Sequence, residues 1–493
     1  MILALLAPVW AEDTAEPTPA ATDPVEVPAG PDRSGRPPLK EPVPLDLEDL
    51  EVHRLANGLE VHHIRVARLR DVFVELDWWR GTQDLQAHDP DVIGLMSDLW
   101  GVASEKYDAK ALSELEDLND MEVRAGVRNH SASVTLEVPL EHLDVGLDLM
   151  ADVALHPTFP KREVKLAQEE TERWYTSEGP KSPGTVAYMA VDWATIPADH
   201  PYGRRPDLDD LVGAKHKALP PIHADVIATR PASLLVVGDV GWDVLEPALT
   251  ARFGGLPATD GERDALLDIP PLPGTRVLAV DMPASEQAAI RVRSLAPAVA
   301  HADAVPLRAT TWALGGHFLA RFNKNLREDK GWTYGVRSFY SAGRTYGTFQ
   351  VGVDVPADKL AAAVGELQKE LDAVLTDGVT PEELEAWWRG SVKDYNDTRG
   401  TIGSASSFYD ALYTDQEAVA DRLGRVKAVK DVTVDQAREV AGRWLGPDVA
   451  RVWVVVGPRQ QLEAGFAALG WEAEWVTAED AVLGRLPGDP PGR

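Results

Sequence analysis

Among the residues of this chain, Arg327 and Tyr334 have the types and spacing best suited to chemistry. The run from Leu314 to Arg327 reads as a helix, because apolar residues recur at Leu314, Phe318, Leu319, Phe322 and Leu326 in three- and four-residue steps, with cations toward its C-terminal end. Gly331 is a helix stop, and Trp332, Thr333 and Tyr334 read as the start of the strand that follows. Arg327 therefore leaves the end of a helix, and Tyr334 begins a strand just across a tight turn. A guanidinium and a phenol held in that way can point into one space. Both donate hydrogen bonds and the arginine is permanently charged, so the pair could stabilise an oxyanion. The same residues also fit a plainer reading, an arginine capping helix carbonyls and a tyrosine half buried in a sheet.

The pattern Gly315-Gly316, Arg321-Phe322, Leu326-Arg327-Glu328, Gly331 and Tyr334-Gly335 resembles the signature of the second half of M16 metallopeptidases, the pitrilysin, insulinase and mitochondrial processing peptidase family. That resemblance implies that Arg327 and Tyr334 are the pair contacting the scissile peptide. Gly94-Leu95, the segment Glu286 to Ile290, and Thr380-Pro381-Glu382-Glu383-Leu384 are similar to other pieces of the family. The family half-molecule is two similar α/β domains, so the resemblance extends from about residue 48 to 480.

The family's zinc motif, His-x-x-Glu-His, is expected shortly after Gly94-Leu95. Two histidines one helical turn apart with a general-base glutamate beside them signal zinc hydrolysis. Here that place holds Met96, Ser97, Asp98, Leu99, Trp100 and Gly101, with neither histidine nor glutamate. The twelve histidines include no pair three, four or five apart, and the adjacent His62 and His63 would leave opposite faces of a strand. Glu163 and Glu170 share one helical face in the region where the family supplies a third ligand. Without histidines they read as orphan carboxylates on a solvated acidic face. Asp98 reads as a surface aspartate. No metal is expected in this chain.

The elements that must position these residues repeat. Leu59 to Val66 and Asp71 to Trp79 read as strands, Asp91 to Ala103 and Ala109 to Leu118 as helices, Val134 to Val138 as a strand closed by Pro139, and Leu234 to Val240 as a buried strand. The pattern then begins again. Gly274 to Val280 answers Gly58 to Ile64, Val351 to Pro356 answers Leu136 to Pro139, the Asp377 to Pro381 break answers His156 to Pro160, and Val452 to Val456 answers Leu234 to Gly238. The expected fold is α/β (α+β): two tandem homologous M16-type domains, each a mixed sheet packed with helices, at 48–262 (zinc motif absent) and 263–482 (carrying the Arg/Tyr pair), forming half of a clam-shell. A flexible tail is expected over 483–493.

Composition excludes several classes. A length of 493 residues exceeds one ordinary core. A net charge of −30 disfavours nucleic acid and anionic membranes and suits cationic or unfolded peptide. With no cysteine there is no disulfide, thiolate zinc site or cysteine nucleophile. Residues 1–11 are an apolar run closing in a small-residue cleavage pattern, which reads as a secretory signal without a basic n-region, and are too short to span a bilayer. Residues 12–47, rich in proline and acidic residues, read as a disordered tether. Export to the periplasm or medium is the expectation, with a cytoplasmic location as the alternative.

Together these readings imply a non-zinc-binding subunit of a heterodimeric M16-type metalloendopeptidase. It would be inactive alone, with Zn2+ in the partner subunit and a peptide or unfolded polypeptide as substrate. A non-enzymatic M16-fold scaffold or peptide-binding subunit is the alternative.

Overall fold

The computed structural model describes residues 50–229, 233–257, 266–397, 401–414 and 419–489. The signal, the tether and residues 490–493 of the tail lie outside the described residues.

Six short strands make the first sheet: β1 (Leu50–Arg54), β2 (Glu60–Arg65), β3 (Asp71–Trp78), β4 (Glu122–Val127), β5 (Ala132–Pro139) and β6 (Ser233–Gly238), in the spatial order β1-β2-β6-β3-β5-β4. Six more make the second: β7 (Arg276–Asp281), β8 (Gln287–Ala296), β9 (Val336–Ala342), β10 (Gly347–Pro356), β11 (Val452–Gly457) and β12 (Glu474–Val476), in the order β12-β7-β11-β8-β10-β9. The repeat read from sequence is a repeat of topology and register. Glu60 pairs with Ser233 in a parallel ladder as Arg276 pairs with Val452, and Asp71 faces Pro139 in an antiparallel one as Gln287 faces Pro356. Only the outer strand differs: β1 pairs antiparallel with its sequence neighbour, whereas β12 arrives late in the chain and runs parallel to β7.

Strand alternation sends side chains to both faces, and each face finds a separate apolar layer. In the first sheet Val61, Val74, Leu76, Leu234 and Val236 join the main core, while Ile64, Leu235 and Val237 face the other way. That second face is covered by the helix Ile402–Thr414, which comes from the second repeat and contributes Ile402, Ala405 and Tyr409. The second sheet mirrors this. Val277, Ile290, Val292 and Val455 join its own core, whereas Leu278, Val280, Ala289, Val454 and Val456 pack on Val186, Ala187, Ala190 and Val191 of the helix Pro183–Thr195, from the first repeat. Each repeat thus lends one helix to the other's sheet, and both sheets fall within one compact unit. The reciprocal burial explains why both helices carry an apolar face that has no use within their own repeat.

The chain's end is better ordered than expected from sequence. Leu483 is buried, Leu486 packs against the Pro183–Thr195 helix, and Asp489 pairs with Arg205 at 3.1 Å, so 483–489 are not a loose tail. No helix among the described residues is long and apolar enough to cross a membrane.

Candidate functional site

The stretch carrying Arg327 and Tyr334 is held more intricately than a single amphipathic helix. Residues Trp312–Gly316 form a widened helical turn that breaks at His317, whose backbone is extended (φ −146°, ψ 169°) and whose ring stacks on Trp312 at 3.9 Å. The glycines before it are needed for close approach: a Cβ on Gly315 would lie 2.7 Å from the Ser338 backbone nitrogen, and one on Gly316 2.9 Å from the Trp312 ring. Phe318 and Leu319, expected on the apolar face of a continuous helix, stand exposed in the break. A second widened turn, Asn323–Asp329, then carries Arg327. Gly331 closes it with φ +66°, its N–H bonding the Arg327 carbonyl at 3.0 Å while Trp332 N–H reaches back to Leu326 at 3.0 Å. Tyr334 does not begin the strand. It sits in a turn tied by Thr333 Oγ1, which accepts from Gly335 N–H at 3.1 Å, and β9 starts at Val336.

Asn323 is the pin of this assembly, and the sequence reading overlooked it. Its buried side chain donates to the His317 carbonyl at 3.1 Å and accepts from Val336 N–H at 2.7 Å, joining the break before the Arg327 turn to the strand after Tyr334. An asparagine inside a predicted helix, where it favours bonding to nearby backbone over propagation, was the available signal. Arg321 anchors the other side. Its guanidinium makes paired hydrogen bonds of 2.8 and 2.6 Å to Glu383, which also accepts from Thr380 N–H at 2.8 Å while its own N–H bonds the Thr380 hydroxyl at 3.2 Å. The Thr380 to Leu384 segment is therefore a capping box starting the helix Pro381–Asp397, with its glutamate borrowed as an ion-pair partner. Burial raises the Glu383 pKa, but the hydrogen bonds from Arg321 and Thr380 outweigh it and hold the carboxyl below its ordinary value.

Arg327 and Tyr334 line one groove of about 860 Å³. Its floor is the outer end of the second sheet, with Arg291 and Asp354 bonded at 2.8 Å, and Tyr188 of the Pro183–Thr195 helix stands over the Arg291 guanidinium at 5.1 Å. The Arg327 guanidinium lies 4.0 Å from the Phe318 ring centre and pairs loosely with Glu328 at 3.5 Å. Tyr334 is 93% exposed. Both side chains thus present donors to a space open to a ligand, and neither is consumed by the fold in the way the plainer reading required.

The place of the missing zinc motif is closed. The helix Pro90–Leu99 ends before it could present two ligands one turn apart, because Trp100 already has non-helical backbone (ψ 103°) and Gly101 adopts φ +120°. The helix expected to reach Ala103 therefore stops at Leu99. Trp100 is only 2% exposed, donates its indole N–H to the Val153 carbonyl at 3.0 Å, and packs edge-on against His223, a core histidine whose pKa burial pushes down to about 4. Ser97 accepts from Val127 N–H at 2.9 Å, and Met96 is buried in the core. Asp98 and Glu170 are exposed, and Glu163 pairs with its neighbour Arg162 at 3.0 Å. These residues do not fit a zinc ion at 96–101.

Fold and groove together define an M16-type half-molecule: two copies of one mixed-sheet unit, a groove carrying an Arg/Tyr pair, and a first repeat without a zinc helix. Residues 223–387, which include both groove residues, match the family described as Peptidase M16 inactive domain. The chain is 23% identical over 322 residues to an uncharacterized zinc protease, YmxG, of Bacillus subtilis (strain 168), covering 63% of this chain and 76% of that protein. Among solved structures it resembles a peptidase M16 inactive domain from Pseudomonas fluorescens (TM-score 0.72, 19% identity, 83% of this chain and 98% of that one). It also resembles a protease from Helicobacter pylori (TM-score 0.72, 18% identity, 83% and 99%). The segment 223–387 and the fold are thus similar to those of M16 peptidases.

Proposed function

We propose that this chain is the subunit of a heterodimeric M16-type metalloendopeptidase that lacks the catalytic zinc site, exported to the periplasm or medium, and that Arg327 and Tyr334 act in trans on the peptide being cut. The observation that carries this reading is the contrast between the two repeats. In the second, Arg327 and Tyr334 face an open groove; in the first, Trp100 fills the place of the zinc motif. A zinc ion in the partner subunit would supply the activated water. The work of this chain is electrostatic. The guanidinium and the phenol donate to the scissile carbonyl oxygen, and the donation strengthens as that oxygen becomes negative, which lowers the barrier instead of merely tightening binding. The Phe318 ring under Arg327 and the Asn323 pin limit where both donors can go. A peptide or unfolded polypeptide is the substrate class, and a net charge of −30 favours a cationic one.

The test is Tyr334→Phe, assayed with the chain reconstituted on a zinc-bearing partner. The ring is retained and the residue is 93% exposed, so stability stays within a few tenths of a kcal/mol of the parent. Peptidase turnover falls about a hundredfold or more with KM little changed, and Arg327→Lys, which keeps the charge but not the fork, behaves in the same way. Full activity of both variants in an assembled pair defeats the reading and leaves a scaffold or peptide-binding subunit in its place.

A further inference from the structure

No two histidines of the chain stand at helical metal-ligand spacing, but a sheet can bring distant residues together. In the antiparallel ladder of β1 and β2, Glu51 stands opposite His63 and His53 opposite Val61, so Glu51, His53 and His63 share one face of the hairpin. One donor atom from each lies within 4.8 Å of the other two, and His53 Nε2 is 3.0 Å from the Glu51 carboxylate. Trp242, at the start of the helix Trp242–Phe253, stacks on the His53 ring with centroids 3.9 Å apart and planes 4° from parallel. That stacking sets the orientation of the His53 ring.

His63 is the independent observation. It is only 3% exposed, and neither ring nitrogen makes a well-formed hydrogen bond, although the Val240 backbone is near enough to favour its protonation. A buried imidazole in that condition is costly unless something satisfies it.

We propose that Glu51, His53 and His63 form a metal site for one divalent transition-metal ion, zinc by its ligand chemistry, distinct from the family's zinc position at 96–101. Two imidazoles and a carboxylate are a zinc donor set, and water completes the tetrahedron. Donors bound at about 2.0 to 2.2 Å stand closer together than the present limit of 4.8 Å, so binding draws the Glu51 and His53 side chains inward onto His63. The ion would bridge the edge strand β1 to β2, which gives it a clamping role on the outermost strand of the first sheet. Burial on one side and the Trp242 ring on another leave little room for a substrate, so no catalytic step is assigned to it.

The experiment uses the full chain stripped with chelator and dialysed, with zinc chloride alone as the probe, read by isothermal titration, elemental analysis and thermal unfolding. Expected are one zinc per chain at micromolar affinity or tighter and a rise in unfolding temperature with zinc. Glu51→Gln and His53→Gln lie on the more accessible side and keep the fold by circular dichroism. Each weakens binding about tenfold or more, the double variant abolishes both the binding and the thermal shift, and Glu170→Gln changes neither. The proposal is overturned if the parent binds no zinc, if E51Q/H53Q retains parental affinity, or if the zinc is lost in Glu170→Gln.

Discussion

Writing the family's zinc motif back into this chain takes three substitutions, Ser97→His, Trp100→Glu and Gly101→His, and the structure argues that they do not restore a site. Trp100 is 2% exposed, packed against His223 and bonded to Val153. Removing a large buried aromatic costs about 3 to 5 kcal/mol, before any penalty for placing a carboxylate there. Gly101 holds φ +120°, a backbone region that a histidine occupies only at roughly 1 to 3 kcal/mol. Ser97→His gives up the hydrogen bond from Val127 N–H, about 1 kcal/mol. The three together approach roughly 5 to 9 kcal/mol, comparable with the stability of an ordinary domain. Urea denaturation of each single variant gives the ranking, with Trp100→Glu the most damaging, and the triple variant is expected to lose cooperative unfolding at 25 °C. A triple variant within about 2 kcal/mol of the parent that gains a further zinc ion would refute the argument. It would mean that the helix can extend past Leu99 and that only residue identity, not backbone, closed the site.

Glu75 on β3 is buried, its carboxyl pushed up to about 8 by burial and then by the nearby Asp410 carboxylate. Its folded pKa lies above its unfolded one, so its contribution to stability is fully present below about 4.5 and is lost as pH rises through about 8. Glu75→Gln removes that dependence, and the stability difference between variant and parent, measured by urea unfolding, should move in the variant's favour by up to about 4 to 5 kcal/mol between pH 4 and pH 9; a difference independent of pH would contradict it. Asn323→Ala leaves the Val336 N–H without its acceptor, costing about 1 to 3 kcal/mol, and hydrogen exchange at Val336 should accelerate well beyond that of the neighbouring ladder amides. Equal protection in variant and parent would show that the pin is dispensable.

Much of the architecture was legible in the sequence because it is written in local periods. The alternation in Asp71–Trp78 and Ala132–Pro139, the Gly58 and Gly331 turns, and the recurrence of the Gly58 strand at Gly274 all follow from side-chain spacing over a few residues, and the two sheets repeat accordingly. The pairing of Arg327 and Tyr334 in one groove was likewise legible, since seven residues across a glycine-closed turn leave few ways to separate them. What the sequence could not decide depends on contacts between segments far apart in the chain. The exchange of the Pro183–Thr195 and Ile402–Thr414 helices between sheets rests on which apolar face remains uncovered. The break at His317 comes from the space that Gly315 leaves for Ser338, and overrides the apolar period that argued for one continuous helix. The meeting of His53 and His63 is set by hairpin register, which brings together residues ten apart that no helical spacing would connect. Local chemistry shapes each element; only the packing of elements fixes which side chains share a face, because burial and register are properties of pairs of segments and not of either one alone.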